Sequence, residues 1–125
     1  MQAIILIGAG GALGAIARYL LGGWVQSLSG GLGFPYGTFT VNVLGCLAIG
    51  VITGLVQTRD LIPMEMRTFL SIGLLGGFTT FSAFGNETFS LIRNGQIGPA
   101  AGYVVLQILV GLVAVWIGYT VVQSR

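Results

Sequence analysis

Residues 73–87 read GLLGGFTTFSAFGNE. This stretch sits inside a strongly apolar chain, yet it is glycine-rich at its start and polar towards its end. Gly73, Gly76 and Gly77 make "GLLGGFTT" awkward for a continuous helix. Irregular backbone at membrane depth survives only where it is buried in protein or lines a cavity. The expectation is therefore a third helix broken near its middle, with freed carbonyls that suit a hard cation. After the glycines, Phe81 and Phe84 stand three residues apart and share a helical face. Thr80 and Ser82 place hydroxyls beside that face. An aromatic ring is positive at its edge, so ring edges and hydroxyls together form an environment for a small anion. Such a site binds without a full opposing charge, and conduction needs binding of that moderate kind. The competing reading of Phe81 and Phe84 is an aromatic packing stripe.

Composition places the rest of the chain around this stretch. The 125 residues are 54% hydrophobic and 6% charged, with no Lys and no His, where a soluble domain carries about 25% charged residues. A membrane protein of one domain follows. The net charge of +2 comes from five scattered arginines, which do not form the basic patch that nucleic acid requires. The lone cysteine, Cys46, excludes an intrachain disulfide and reads as a small packing residue. Without a second Cys or any His, thiolate or imidazole metal sites within one chain are excluded. Enzyme chemistry is disfavoured too, since no segment holds paired carboxylates or a nucleophile with its base. The N-terminus has no basic n-region and its first apolar run is too long for a signal sequence, so it reads as a retained helix.

A membrane-crossing helix needs about 20 mostly apolar residues. Four segments qualify, at about 3–25, 37–57, 67–92 and 98–122. They are separated by QSLSGGLGFPYG, QTRDLIPMEMR and RNGQIGP, which carry turn residues or charge. Both termini then lie on one side, shared by Arg59, Arg67 and Arg125, with Arg93 opposite. The positive-inside rule puts the termini in the cytoplasm. A bias of three against one, with Asp60 and Glu65 nearby, is weak enough to allow insertion both ways. Gly10 and Gly14, Gly50 and Gly54, and Gly73 and Gly77 form GxxxG pairs, which let helices approach closely in lipid.

Several polar residues fall within these spans, and each has two readings. Arg18 either snorkels to the headgroups or supplies a fixed positive charge at a vestibule. Asn42 is either an interhelical hydrogen bonder or a donor facing a pathway. Glu87 either reaches the interface or belongs to the polar face of helix three. Tyr103 and Gln107, four apart on helix four, share a face.

Taken together, GGALGAIARY, GTFTVNVLGCLAIG and GLLGGFTTFSAFGNE resemble, in order and spacing, the signature segments of the Fluc/CrcB fluoride channel family. The resemblance covers essentially the whole chain and its four-helix plan. It implies an all-α, dual-topology homodimer of antiparallel subunits. Two fluoride pores would run along the dimer interface and passively export cytoplasmic fluoride, lowering its toxicity. It implies a structural Na+ at the dimer centre, held by main-chain carbonyls of Gly76 and Thr79. By motif, Arg18 matches the family arginine of the first helix and Asn42 the pore asparagine. Phe81 and Phe84 match the phenylalanines whose edges line the path, and Ser82 the serine between them. Thr80, Glu87 and Tyr103 fall at polar pathway positions. The chain departs from the family's usual FSTF in having Ala83, and it carries Gln107 where the family tends to have serine. Gln107 either replaces that hydroxyl or narrows the path.

Two other classes compete. A small proton-coupled multidrug exporter also has four helices, but it needs an embedded carboxylate. Here helix one carries Arg18, and Glu87 near a helix end is the sole acid in any span. A non-transporting accessory subunit would use the helix-three cluster as an interaction surface. Conduction by the purified protein alone would exclude it.

Overall fold

A computed structural model of the chain describes residues 1–31 and 33–124, apart from the Arg59 side chain. Of the arginines behind the charge bias, Arg125 and the Arg59 side chain thus lie outside the described residues. The regular secondary structure among the described residues is all helical, with no strand. Helix α1 spans Gln2–Leu28 and α2 spans Tyr36–Arg59. The third span, Met64–Arg93, is composite. It comprises α3 (Met64–Arg67), a π-helical stretch (Thr68–Leu75), α4 (Gly76–Phe78) and α5 (Phe81–Arg93). Helix α6 spans Ile97–Gln123. Among the described residues, four helical spans are long and apolar enough to cross a membrane, as the sequence predicts. Each runs slightly past its apolar run, because polar ends such as Gln26 and Ser27 stay helical.

The expected break is present, at the C-terminal end of the GLLGGFTT stretch. Gly73, Gly76 and Gly77 are helical, and the chain becomes extended at Thr79 (φ −85°, ψ 157°) and Thr80 (φ −151°, ψ 111°). Gly73 and Gly77 serve packing instead. A Cβ added to Gly77 would collide with Gly11 of α1, and one added to Gly14 with the Leu74 carbonyl and, at 2.8 Å, the Phe78 nitrogen. Backbone therefore lies on backbone along this seam, the arrangement that small residues permit in lipid. The β-branched pair Thr79–Thr80 takes the extended conformation that suits such residues. Gly45 of α2 makes room for it, since a Cβ there would strike Thr79 Cγ2.

The second seam joins α2 to α6. Gly50 faces the Val115 carbonyl, Gly118 faces Leu47 and Val51, and Gly54 lies against Tyr119. The pairs Gly10 and Gly14, Gly50 and Gly54, and Gly73 and Gly77 thus pack helices within one chain. Around Tyr103 a small core forms from Leu91 and Ala100, with Phe34, Phe39 and Phe84 against it. The connecting loops are tied by polar contacts. Gln26 accepts from the Gly37 N–H at 3.0 Å and donates to the Phe34 carbonyl at 3.1 Å. At the other end Arg67 pairs with Asp60 at 2.7 Å.

Candidate ion pathway

The site is built around the two extended residues. In an unbroken helix the Thr80 N–H would bond to the Gly76 carbonyl and the Ala83 N–H to that of Thr79. Here Thr80 N–H donates to Asn42 Oδ1 at 2.9 Å, and Ala83 N–H donates to Thr80 Oγ1 at 3.2 Å. The second bond is an N-cap for α5. Together the two bonds remove the ordinary partners of the Gly76 and Thr79 carbonyls. The Gly77 carbonyl accepts instead from Arg18 Nε at 3.0 Å. Arg18 therefore reaches the C-terminal end of α4, where a cation complements the helix dipole.

Asn42 is 8% exposed. Besides accepting from Thr80, its Nδ2 donates to the Thr80 carbonyl at 3.2 Å and to Gln107 Oε1 at 3.4 Å. Asn42 thus clamps the break to α2 and links it to α6. Thr80 Oγ1 also meets Ser82 Oγ at 3.4 Å.

Past the break, an aromatic ladder crosses the molecule. Phe81 and Phe84 have ring centroids 5.7 Å apart, tilted by 49°. Phe84 meets Tyr103 edge-on at 5.0 Å, and Tyr103 meets Phe34 edge-on at 5.2 Å. Phe81 is 83% exposed whereas Tyr103 is fully buried. The shared face of Phe81 and Phe84 therefore runs from an open surface into the core. Tyr103 OH donates to Glu87 Oε2 at 2.8 Å, and Thr38 Oγ1 donates to Glu87 Oε1 at 2.6 Å. Each carboxylate oxygen has its own hydroxyl, so Glu87 is held inside the chain.

Two cavities flank this cluster. One, of about 740 Å³, is lined by Arg18, Gln26, Thr38, Thr80, Glu87 and Asn94 among others. The other, of about 560 Å³, is an apolar groove that includes Asn42, Thr79, Phe81, Phe84 and Gln107. Thr80 lines both, so the break stands between them. One end offers a cation and polar groups, and the other offers ring edges and amides.

The family model described as "CrcB-like protein, Camphor Resistance (CrcB)" matches residues 5–119. The chain belongs to the CrcB family. A protein of Methylobacillus flagellatus named a fluoride-specific ion channel is 49% identical over 123 residues, 98% of this chain and 96% of that protein. Proteins of the same name from Geobacter metallireducens and Chloroflexus aurantiacus are 50% and 48% identical, each over 94% of this chain and 94% and 93% of their own lengths. Membership in the CrcB family fits the four membrane spans and makes this a multi-pass membrane protein.

Within this family framework, the structure brings most of the candidate residues together. Asn42, Thr80, Ser82, Phe81 and Phe84 gather at the break, Glu87 and Tyr103 bond to each other, and Arg18 joins through Gly77. Thr38 was not among the candidates. Its signal was available: antiparallel neighbours place the start of α2 beside the end of the third span, where Glu87 needs a donor. Gln26, the loop staple, carried no signal beyond its polarity.

Proposed function

We infer that this chain is a fluoride-specific ion channel of the cell membrane, and not an enzyme. The single observation that carries this is near-half identity, over almost the whole length, to proteins named fluoride-specific ion channels. The site chemistry is consistent with the role. Moderate donors, ring edges and one displaced positive charge can draw a small anion without trapping it. Fluoride efflux from liposomes holding only this protein, with chloride in parallel, tests the reading. Fast fluoride and negligible chloride efflux supports it. No fluoride efflux from assembled protein overturns it.

The finer reading is an antiparallel, dual-topology homodimer with two pores along its interface. The 83% exposure of Phe81 beside an apolar groove supports it, because a second copy would cover a ring that a pore must enclose. Arg18 acts as the vestibule charge, and fluoride passes Asn42, Thr80, Ser82, Phe81, Phe84, Tyr103 and Glu87.

A structural Na+ fits the residues present. The Gly76 and Thr79 carbonyls lose their ordinary N–H partners to Asn42 and to the Thr80 hydroxyl, and both residues line the groove. Oxygen ligands of this kind suit a hard cation. Two such carbonyls from each subunit would hold the ion at the dimer axis. Its chemistry is structural, neutralising carbonyl dipoles that meet across that axis.

A further inference from the structure

The Gln26 carboxamide grips the entry to α2 from the end of α1. Its Nε2 donates to the Phe34 carbonyl at 3.1 Å, and its Oε1 accepts the Gly37 N–H at 3.0 Å. The Phe34 carbonyl also takes the Tyr36 N–H at 2.9 Å, across Pro35. The angles of Pro35 (φ −81°, ψ 66°) are those of an inverse γ-turn, and the proline ring fixes that φ. Gly37 rests on α1, where a Cβ would strike the Gly22 carbonyl. Phe34 is thus carried on a stiff turn bound to α1. Its ring lines the larger cavity, and the fully buried Tyr103 lies edge-on behind it at 5.2 Å. Four residues on, Thr38 donates to Glu87 Oε1, while Tyr103 donates to Oε2. Both hydroxyls on Glu87 therefore depend on the gripped segment, Thr38 through the chain and Tyr103 through the Phe34 ring.

We propose that Gln26 and Phe34 are positioning residues for the ion pathway: Gln26 fixes the turn, and the Phe34 ring keeps water off Tyr103 and holds its hydroxyl on Glu87. The proposal rests on the fluoride-channel reading and adds to it two residues that touch no anion. Glu87 lines the same cavity as Phe34. A carboxylate stripped of its donors would turn to the water there, and its charge would repel an incoming anion. With a hydroxyl on each oxygen, Glu87 stays against the protein. Water is the competitor for the Tyr103 hydroxyl, since a bond to water replaces a bond within the protein at little net cost. The Phe34 ring stands where that water would enter. A clamp that only closed the loop would act differently: its removal would lower stability and leave Tyr103 dry and bonded to Glu87.

The test uses the full chain, isotope-labelled and reconstituted in liposomes. Solid-state NMR reads two things whether or not the protein conducts: the correlation between Tyr103 Cζ and Glu87 Cδ, and the transfer of polarisation from water to each ring. In the wild type the correlation is expected, with water transfer to Phe34 and none to Tyr103. Phe34→Ala and Gln26→Met should each weaken the correlation and bring water transfer to Tyr103. Each should also lower fluoride efflux about fivefold, the worth of one aromatic pair. Phe34→Leu keeps apolar cover without a ring and should fall between Phe34→Ala and the wild type. Water transfer to Tyr103 in the wild type, an unchanged Tyr103–Glu87 correlation in the variants, or wild-type efflux from them overturns the proposal. A wild type that passes no fluoride removes the channel reading, while the spectra still decide whether Gln26 and Phe34 hold Tyr103. Should Phe34→Ala fail to assemble, Gln26→Met and Phe34→Leu supply the same readings, and the wild-type water map stands beside them.

Discussion

The Asn42 carboxamide holds the Thr80 peptide from both ends, accepting its N–H at 2.9 Å and donating to its carbonyl at 3.2 Å. This pair replaces a helical hydrogen bond with one between helices. It keeps two backbone groups satisfied at a depth where water is scarce. It also releases the Gly76 carbonyl. One side chain therefore stabilises the break and supports the proposed cation site.

Asn42→Ala removes that clamp. Each orphaned backbone group costs about 1–3 kcal/mol when buried. The expected outcome is a lower melting temperature in detergent together with reduced fluoride flux. Asn42→Asp keeps the acceptor for Thr80 N–H but brings a negative charge beside the anion. It also turns the donor to the Thr80 carbonyl into a second acceptor, so it should melt no closer to wild type than Asn42→Ala does, and it should impair flux. Equal melting of Asn42→Ala and wild type would show that Thr80 does not depend on Asn42.

The phenylalanines separate packing from conduction. Phe81 is largely exposed in the single chain, so Phe81→Ile removes little packing there. Phe84 touches Tyr103, and Phe84→Ile therefore carries some packing loss, on the order of 1 kcal/mol for the aromatic pair. Both should cut fluoride efflux sharply while the protein still assembles, as read by gel filtration beside the liposome assay. Unchanged flux in both variants would remove the ring-edge mechanism.

Glu87 can be tested through its donors. Tyr103→Phe and Thr38→Val each strip one hydroxyl from the carboxylate. A hydrogen bond to a charged group contributes about 1.5–3 kcal/mol. Each variant should lose stability in a thermal melt. With Glu87→Gln as background, the same substitutions should cost less, because a neutral amide accepts more weakly. A full, additive loss in the double variants would mean that the hydroxyls stabilise something other than Glu87.

Much of this was legible in the sequence. Apolar runs marked the four spans, since lipid permits few alternatives for such segments. The polar cluster in residues 77–87 marked the irregular part of the third span. The exact point of the break was not legible. Glycines suggest weakness in a helix, but Gly73 and Gly77 are used for close contact with α1, and only the packed structure shows which use prevails. The role of Asn42 was similarly two-valued, because an amide of either function looks alike until its partners are known. The partners of Thr38 and Gln107 lie 49 and 65 residues away in sequence, so which groups they meet is seen only in the packed structure.

The glycine seam gives a contrast between positions. A Cβ on Gly14 of α1 meets main-chain atoms of Leu74 and Phe78, while one on Gly8 meets nothing within 4 Å. Main chain in a helix cannot swing aside as a long side chain can. Gly14→Ala must therefore push α1 off the third span, shifting the Arg18–Gly77 contact with it. The expected outcome is strong loss of folded protein on gel filtration and no fluoride flux. Gly8→Ala should give wild-type yield. Similar behaviour of the two would show that the α1 seam yields easily and does not fix the break.

Sodium removal addresses the freed carbonyls. In the proposed dimer, four converging carbonyl dipoles without a cation would leave unfavourable like-oriented charge at its centre. Purification and assay with a bulky organic cation in place of Na+ should lower fluoride flux, and returning Na+ should restore it. Thr80→Ala removes the hydroxyl that draws off the Ala83 N–H, so that N–H can turn back to the Thr79 carbonyl. This variant should need a higher Na+ concentration for the same flux. Flux indifferent to Na+ in both proteins would leave the Gly76 and Thr79 carbonyls without a cation to hold, and their exposure would then serve only to let the third span break.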